Sequence, residues 1–184
     1  MKNASARVKR MKRAAAGLLI LMLAFGAPSC GRGAEEATTV IVVRHAEKAS
    51  DADDSPLTEA GTRRAEALAR AVEGAGVRAV YSSQFRRNLD TARPLAERAG
   101  HAVKEMSVNL SNPGDYGKAL ARDVLEKHAG QTVVVVGHAN TVAATVEALS
   151  GRPAQFGDIQ YPDFFIVVVP REGEPKIVRA QYGL

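Results

Sequence analysis

The sequence predicts one α/β domain of three layers, with a mostly parallel central sheet, helices on both faces and an antiparallel C-terminal hairpin. Three observations predict this class. Short runs rich in β-branched residues alternate with longer segments whose apolar residues recur at helical spacing, as in βαβ units. The first run, Thr38–Val43, is apolar without alternation, as a strand buried on both faces would be. The last two runs flank the short polar segment PREGEP, which is typical of a hairpin.

The individual elements follow from local patterns. The predicted strands are Thr38–Val43, Val77–Ser82, Val103–Met106, Gln131–Gly137, Phe164–Val169 and Lys176–Ala180. The predicted helices are Glu59–Ala75, Phe85–Ala99, Gly117–Ala129 and a segment marked by Val142, Thr145, Val146 and Leu149. Thr58 is a candidate cap of the first helix, and Pro94 is expected to break or kink the second. Residues 107–116 are expected to form a loop.

Composition narrows the possible functions. The chain has 184 residues, 46% of them apolar, which is enough for the core of a single domain. A single cysteine excludes an intramolecular disulfide framework and cysteine-rich zinc sites. Six of the 25 basic residues and none of the 20 acidic ones lie within residues 1–30, so the rest of the chain is nearly neutral. The high isoelectric point therefore does not indicate a nucleic-acid-binding protein.

The N-terminus has the pattern of an export signal. The positively charged stretch Met1–Arg13 precedes the apolar run Ala14–Ala27, then small residues and Cys30. The apolar run is shorter than the roughly 20 residues that span a bilayer. We therefore interpret residues 1–30 as a signal peptide, 31–38 as a linker and 39–184 as the domain, with an uncleaved anchor as the alternative.

Cys30 resembles the lipid-attachment cysteine of bacterial lipoproteins. Ordinary cleavage near this point is the alternative. In either case the domain is expected outside the cytoplasm, as a periplasmic protein or as a lipoprotein held to the membrane by a lipid on Cys30.

Polar side chains follow three of the predicted parallel strands. Arg44 and His45 follow the first strand, Ser83 follows the second with Arg87 one helical turn further on, and His138 follows the Gln131–Gly137 strand. Because the carboxyl ends of parallel strands meet at one edge of a sheet, these groups are expected to converge. Arginines bind phosphoryl oxygens bidentately, and a histidine can act as a nucleophile. The edge therefore suits a phosphoryl group.

Four segments carry a resemblance to a known family. They are VVRHAEK (Val42–Lys48), PLTEAGTRRAEALA (Pro56–Ala69), YSSQFRRNLDTA (Tyr81–Ala92) and VVVVGHAN (Val133–Asn140). In this order they resemble the histidine phosphatase superfamily, the phosphoglycerate-mutase-like proteins, over roughly residues 39 to 169.

The resemblance implies specific roles. His45 would be the nucleophile that becomes phosphorylated, Arg44 and Arg87 would hold the phosphoryl group, and His138 would donate a hydrogen bond to it. Ser83 is a further candidate for substrate binding. No motif marks the acid that protonates the leaving group. Asp115 lies in the expected loop, although it could equally be a turn residue of the N-P-G-D sequence.

The short chain lacks long insertions, so the resemblance implies an open, shallow cleft. Neither a cofactor nor a metal is implied. The expected function is that of an exported phosphohydrolase acting on a phosphomonoester, through a phosphohistidine, in a phosphorylated small molecule or envelope component.

Competing functions remain open at the level of sequence. A non-catalytic envelope protein could bind a phosphorylated ligand through the same residues. A metal-dependent hydrolase could use His45, Glu47, His138 and an aspartate, although Arg44 and Arg87 would repel a cation. A dinucleotide-binding domain is disfavoured because no G-x-G-x-x-G turn follows a strand. A mutase is disfavoured by the expected export.

Overall fold

The computed structural model describes residues 37–153 and 155–183. The predicted signal peptide, Cys30 and most of the predicted linker lie outside the described residues. Strands and helices alternate through most of the described chain. In chain order they are β1 (Thr38–Arg44), α1 (Glu59–Ala71), β2 (Val77–Ser82), α2 (Arg86–Ala99), β3 (Val103–Glu105), α3 (Pro113–Lys127), β4 (Thr132–Gly137), α4 (Ala139–Ser150), β5 (Asp163–Val169) and β6 (Lys176–Gln181).

The strands form one sheet in the order β3-β2-β4-β1-β5-β6. Strands β1 to β4 are parallel, β5 is antiparallel to β1, and β6 is antiparallel to β5. This arrangement confirms the predicted fold class. In the register of the sheet, Arg44 lies beside Gly137 and Ser82 lies beside Val136, so β1, β2 and β4 end almost level with one another.

The two faces of the sheet bury alternate residues of each strand. Val40 and Val42 of β1 pack with α3 and α4, whereas Ile41 and Val43 pack with α1 and α2. All four side chains are at most 5% exposed. Burying each one contributes about 1.5–3 kcal/mol relative to an exposed position. The unbroken β-branched run is thus explained by helices on both sides of β1.

Two helix ends differ clearly from the sequence expectations. The helix α3 begins at Pro113 instead of Gly117, because Asn112 caps it by accepting a hydrogen bond from the Asp115 N–H and proline suits the first helical turn. The helix α1 ends at Ala71 instead of Ala75, since Gly74 adopts a φ of 82° in the turn that follows. The strand β1 begins at Thr38, as predicted, and Thr38 pairs with Val169 of β5.

The expected break of α2 at Pro94 is wrong, because the helix runs unbroken through that residue. Proline removes one backbone hydrogen bond, at a cost of about 3 kcal/mol in a helix interior. Leu95 and Ala96, directly after it, are both 2% exposed and pack with the core layer that includes α1. This packing next to Pro94 outweighs the local preference for a break. Within residues 37–153 and 155–183, no helix is long and apolar enough to cross a membrane.

Candidate active site

The carboxyl edge of the sheet brings two histidines and two arginines together. Arg44 ends β1, His45 follows it directly, His138 caps α4 after β4, and Arg87 lies in the first turn of α2 after β2. The His45 N–H donates to the Gly137 carbonyl at 2.8 Å, which ties the ends of β1 and β4 together. The sequence expectation that these side chains share one edge therefore matches their placement.

A glycine at position 137 permits the tight passage from β4 into α4. A Cβ atom there would lie 2.7 Å from the Thr141 hydroxyl oxygen. That hydroxyl accepts a hydrogen bond from the His138 N–H at 2.8 Å. Gly137 thus leaves room for the contact that fixes the backbone of His138.

The His45 ring has a defined tautomer. Its Nδ1–H donates to the Ala46 carbonyl oxygen at 2.8 Å, so the proton of the neutral ring is on Nδ1. The Nε2 atom then carries the lone pair and accepts a hydrogen bond from Arg87 Nε–H at 3.3 Å. The side chain is 4% exposed. The unprotonated nitrogen of His45 consequently faces the guanidinium of Arg87.

The His138 ring has the opposite tautomer. Its Nδ1 accepts from Arg87 Nη2–H at 3.3 Å, and its Nε2–H donates to the Ser83 hydroxyl oxygen at 3.1 Å. The centroids of the His45 and His138 rings are 5.3 Å apart. Arg87 therefore bridges the two imidazoles, and Ser83 orients His138.

Both imidazoles are neutral at pH 7. Burial, together with the charges of Arg87 and Arg44, lowers the pKa of His45 to about 4, although the hydrogen bond to Ala46 acts in the opposite direction. Burial and the charge of Arg87 lower the pKa of His138 to about 3. A neutral His45 keeps its Nε2 lone pair, which a nucleophile requires.

Arg44 is held by the segment that precedes β5. Its Nη1–H donates to the Ile159 carbonyl oxygen at 2.8 Å, and its Nε is buried without a hydrogen-bond partner among the described residues. The Arg44 Cζ atom lies 4.2 Å from the centroid of the Tyr161 ring. The same ring lies 6.0 Å from that of His45. No motif marks Tyr161, and its position shortly before the hairpin is the only signal in the sequence.

Arg87 is held by the loop between β1 and α1. Its Nη1–H donates to the Asp53 carbonyl oxygen at 2.6 Å, and the Phe85 ring centroid lies 4.6 Å from its Cζ. Burial lowers the pKa of Arg87, and the carboxylates of Asp54 and Asp53 oppose that effect. Neither aspartate was predicted from the sequence, because no motif indicates that this loop returns to α2. The side chain of the neighbouring Arg86 is 61% exposed.

The loop after His45 is fixed to α1. The Glu47 carboxylate accepts a hydrogen bond from Arg64 Nε at 2.8 Å and forms an ion pair with Arg64 Nη2 at 2.7 Å. The Glu47 carbonyl accepts a hydrogen bond from the Thr58 N–H at 2.8 Å. A Cβ atom at Gly61 would clash with the Glu47 carbonyl oxygen, 2.4 Å away. Burial raises the pKa of Glu47, but Arg64 more than compensates and holds it below its usual value. Glu47 thus anchors the loop instead of joining His45 and His138 in a metal site.

Asp115 is the one predicted catalytic residue within the described chain that the contacts do not join to this group. It is exposed in the first turn of α3, and its carboxylate accepts a hydrogen bond from Asn112 Nδ2. The loop that precedes α3 does reach the carboxyl edge of the sheet, since Asn140 Nδ2 in the first turn of α4 donates to the Leu110 carbonyl at 3.2 Å. Cys30 lies outside the described residues. In the part of the chain that the structure describes, no three histidine, cysteine, aspartate or glutamate residues cluster as they would around a metal ion.

Comparisons with known proteins were made for both sequence and fold. The sequence model of the histidine phosphatase superfamily (branch 1) matches residues 40–108, which include Arg44, His45 and Arg87. A comparison with curated proteins finds no match.

Several solved structures share the fold. A mycobacterial glucosyl-3-phosphoglycerate phosphatase has a TM-score of 0.65 and 17% identity, covering 80% of this chain and 99% of its own. The protein histidine phosphatase SixA has a TM-score of 0.58 and 18% identity, covering 78% and 96%. A phosphoserine phosphatase from Entamoeba histolytica has a TM-score of 0.59 and 18% identity, covering 80% and 97%. At these identities the likeness concerns the fold.

Proposed function

We propose that the chain is a phosphohydrolase of the histidine phosphatase superfamily, whose sequence model matches residues 40–108, and that it cleaves phosphomonoesters through a phosphohistidine at His45. One observation carries the proposal. The Nδ1–H of His45 is committed to the Ala46 carbonyl, which leaves the Nε2 lone pair pointing at Arg87. A buried neutral imidazole directed at a guanidinium suits attack on a phosphorus atom whose oxygens that guanidinium holds.

The reaction proceeds in two steps. In the first, His45 Nε2 forms a bond to phosphorus, the bond from phosphorus to the leaving oxygen breaks, and that oxygen takes up a proton. In the second, water attacks the phosphohistidine, the N–P bond breaks, and inorganic phosphate leaves with His45 regenerated. Each step requires that the charge on the phosphoryl oxygens be neutralised.

Arg44 and Arg87 provide that neutralisation. Arg87 donates to two neutral imidazole nitrogens in the free protein, and anionic phosphoryl oxygens are stronger acceptors that would take over these donors. The negative charge of the substrate raises the pKa of His138, so that this residue becomes a donor to the phosphoryl group. The hydrogen bond to Ser83 keeps the His138 ring in place. Because two guanidiniums supply the positive charge, the reaction requires no metal.

The substrate is a phosphorylated small molecule or envelope component. The solved relatives named above are called phosphatases of a glucosyl-phosphoglycerate, of phosphoserine and of protein phosphohistidine. Their names share the phosphoryl group and differ in the leaving group. The shared phosphoryl group supports a phosphatase activity for this chain, and the identity of the leaving group has to be determined by experiment. Export, which the pattern of residues 1–30 supports, means that the reaction occurs in the envelope.

The mechanism is tested with the full chain, 4-nitrophenyl phosphate and the variants His45→Ala, Arg87→Ala and His101→Ala. We expect acid-labile phosphate on His45 after brief exposure to substrate, and no turnover in His45→Ala. Arg87→Ala should lower kcat by about 10²–10³, the scale for losing one transition-state donor. His101 lies in the loop before β3 and serves as the control. Label on a serine, or turnover in His45→Ala, would contradict the mechanism. Loss of activity with EDTA and recovery with zinc would favour the metal-dependent alternative.

The same assay examines the leaving-group proton, for which we propose Asp115 as the donor. Asp115→Asn should slow an alkyl phosphate by about 10²–10⁴, because an alkoxide needs a proton as it leaves. It should hardly affect 4-nitrophenyl phosphate, whose leaving group needs none. Equal rates of variant and wild type on the alkyl phosphate would leave Asp115 only its structural contact with Asn112 in the first turn of α3.

A further inference from the structure

A tight turn before β5 forms one wall of the site, and a buried carboxylate holds it. Asp163 is 0% exposed. Its carboxylate accepts hydrogen bonds from the Gln160 N–H at 2.7 Å, from Arg179 Nη2 at 2.7 Å and from Gln181 Nε2 at 2.9 Å. A buried charge is tolerated only when it is paired in this way. Residues 160–163 are therefore fixed by contacts that involve no catalytic group.

The fixed turn and the residue before it, Ile159, present two groups to the site. The Ile159 carbonyl accepts from Arg44, as described, and the Tyr161 ring lies across the Arg44 guanidinium at 4.2 Å. A cation over an aromatic face is attracted by the ring. The turn therefore fixes both the position of Arg44 and the orientation of Tyr161.

The Tyr161 side chain also lies beside the other groups that would hold a phosphoryl group. Its ring is 6.0 Å from the His45 ring, and its electrostatic interaction with Arg87 raises the pKa of that arginine against the larger effect of burial. Within the described residues, no protein group is hydrogen bonded to the Tyr161 hydroxyl, and the side chain is half-buried. The Tyr161 ring thus lies near Arg44 and His45 and interacts electrostatically with Arg87, and its hydroxyl has no protein partner within the described residues.

We propose that Tyr161 is a further catalytic residue, whose hydroxyl donates a hydrogen bond to a non-bridging oxygen of the phosphoryl group. Asp163 is the positioning residue that holds Tyr161 through the turn. This inference rests on the proposed phosphatase function, since it assigns a ligand to the same site. It differs from a packing role, in which the ring alone supports Arg44 and the hydroxyl does nothing.

The variant Tyr161→Phe separates these roles, because it keeps the ring over Arg44 and removes only the hydroxyl. A hydrogen bond to a charged acceptor contributes enough that we expect kcat/KM to fall about 10- to 100-fold. The fall should be equal for ethyl phosphate and 4-nitrophenyl phosphate, because a non-bridging oxygen is common to both. Inhibition by orthovanadate, which mimics the five-coordinate phosphorus, should weaken by a similar factor.

The control is Tyr116→Phe, which removes another hydroxyl that is buried and has no partner among the described residues. It should leave kcat/KM unchanged. Wild-type kinetics in Tyr161→Phe would overturn the proposal in favour of packing. A loss confined to ethyl phosphate would also overturn it, since Tyr161 would then protonate the leaving group.

Asp163→Asn examines the positioning role. In a double-mutant cycle, the Tyr161→Phe effect should shrink severalfold in the Asp163→Asn background, because the hydroxyl is no longer held in place. Gln181→Leu, which removes one donor to the carboxylate, replaces Asp163→Asn should the latter not fold. Strictly additive effects would show that Asp163 only stabilises the domain.

The two proposals can fail separately. Should the wild type show no turnover and no label on His45, the proposed function fails by itself. The affinity for inorganic phosphate, compared between wild type and Tyr161→Phe by calorimetry, then decides the inference, and equal affinities would overturn it.

Discussion

At the scale of single residues, the two buried histidines make the stability of the protein depend on pH. An imidazole in the unfolded chain titrates near 6.5, whereas the pKa values in the folded protein are about 4 for His45 and about 3 for His138. Between those values the unfolded chain binds more protons than the folded one. The two rings therefore leave the free energy of unfolding unchanged above about pH 6.5 and lower it progressively as the pH falls from 6.5 towards about 4 for His45 and about 3 for His138.

This dependence gives a measurable slope. Each histidine should lower the free energy of unfolding by up to about 1.4 kcal/mol per pH unit below pH 6. We expect the variant His138→Gln, which cannot take up a proton, to show a shallower decline between pH 6 and 4 in urea titrations. A decline as steep as that of the wild type would show that His138 is protonated in the folded protein.

The sequence was informative about site residues that carry a motif and uninformative about those that do not. Arg44, His45 and His138 follow strands directly, so strand direction alone predicts that they meet. Tyr161 and Asp53 reach the site from loops, and a loop's path depends on contacts far along the chain, such as those that link the turn before β5 to β6. The tautomers of His45 and His138 could not be predicted either, because they depend on the hydrogen-bond partner of each ring nitrogen.

At the scale of secondary structure, the N-terminus of α2 is capped by a residue from another loop. Its N-cap, Phe85, offers no side-chain acceptor. Asp54 takes that role, since its carboxylate oxygen accepts from the Arg86 N–H at 2.7 Å. The next residue of the helix is Arg87, so the contact also fixes the backbone that carries the guanidinium bridging His45 and His138.

A comparison of two substitutions tests this capping role. Asp54→Ala should lower the free energy of unfolding by about 1 kcal/mol, the usual cost of losing a cap, and should raise KM because Arg87 is less well placed. Asp54→Asn keeps an acceptor oxygen and should resemble the wild type in both respects. Asp51→Ala, in the same loop, removes an exposed carboxylate paired with Lys48 and serves as the control. If Asp54→Asn behaves like Asp54→Ala, the charge acts directly on Arg87 and the cap is irrelevant.

The order and type of the elements were predictable, while several of their ends were not. Hydrophobic spacing identifies a helix because one face must be buried. The ends depend on single hydrogen bonds, such as the one from the Asp115 N–H to Asn112 that starts α3 ahead of Gly117. The break expected at Pro94 could not be judged from the sequence for a similar reason, because the burial of the residues that follow it offsets the tendency of proline to end a helix.

At the scale of the whole molecule, the chain divides into parts with different charge. Residues 1–30 carry six basic and no acidic side chains, whereas the remainder carries 19 basic and 20 acidic ones. The folded domain has its own hydrophobic core. All residues of the candidate active site and of the turn that supports it lie between positions 44 and 163. We therefore propose that the N-terminal segment is dispensable for the chemistry and that its composition serves targeting.

The targeting role can be measured by fractionating bacterial cells that produce the full chain. We expect the protein in the envelope fraction, and we expect a version without residues 1–30 to stay in the cytoplasm with its phosphatase activity intact. If Cys30 carries a lipid, Cys30→Ser should move the protein from the membrane to the soluble exported fraction or block its processing. An exported soluble protein that is unaffected by Cys30→Ser would contradict lipidation but not export. Recovery of the full chain in the cytoplasm would contradict both, because a positive stretch followed by an apolar run would then have directed no translocation.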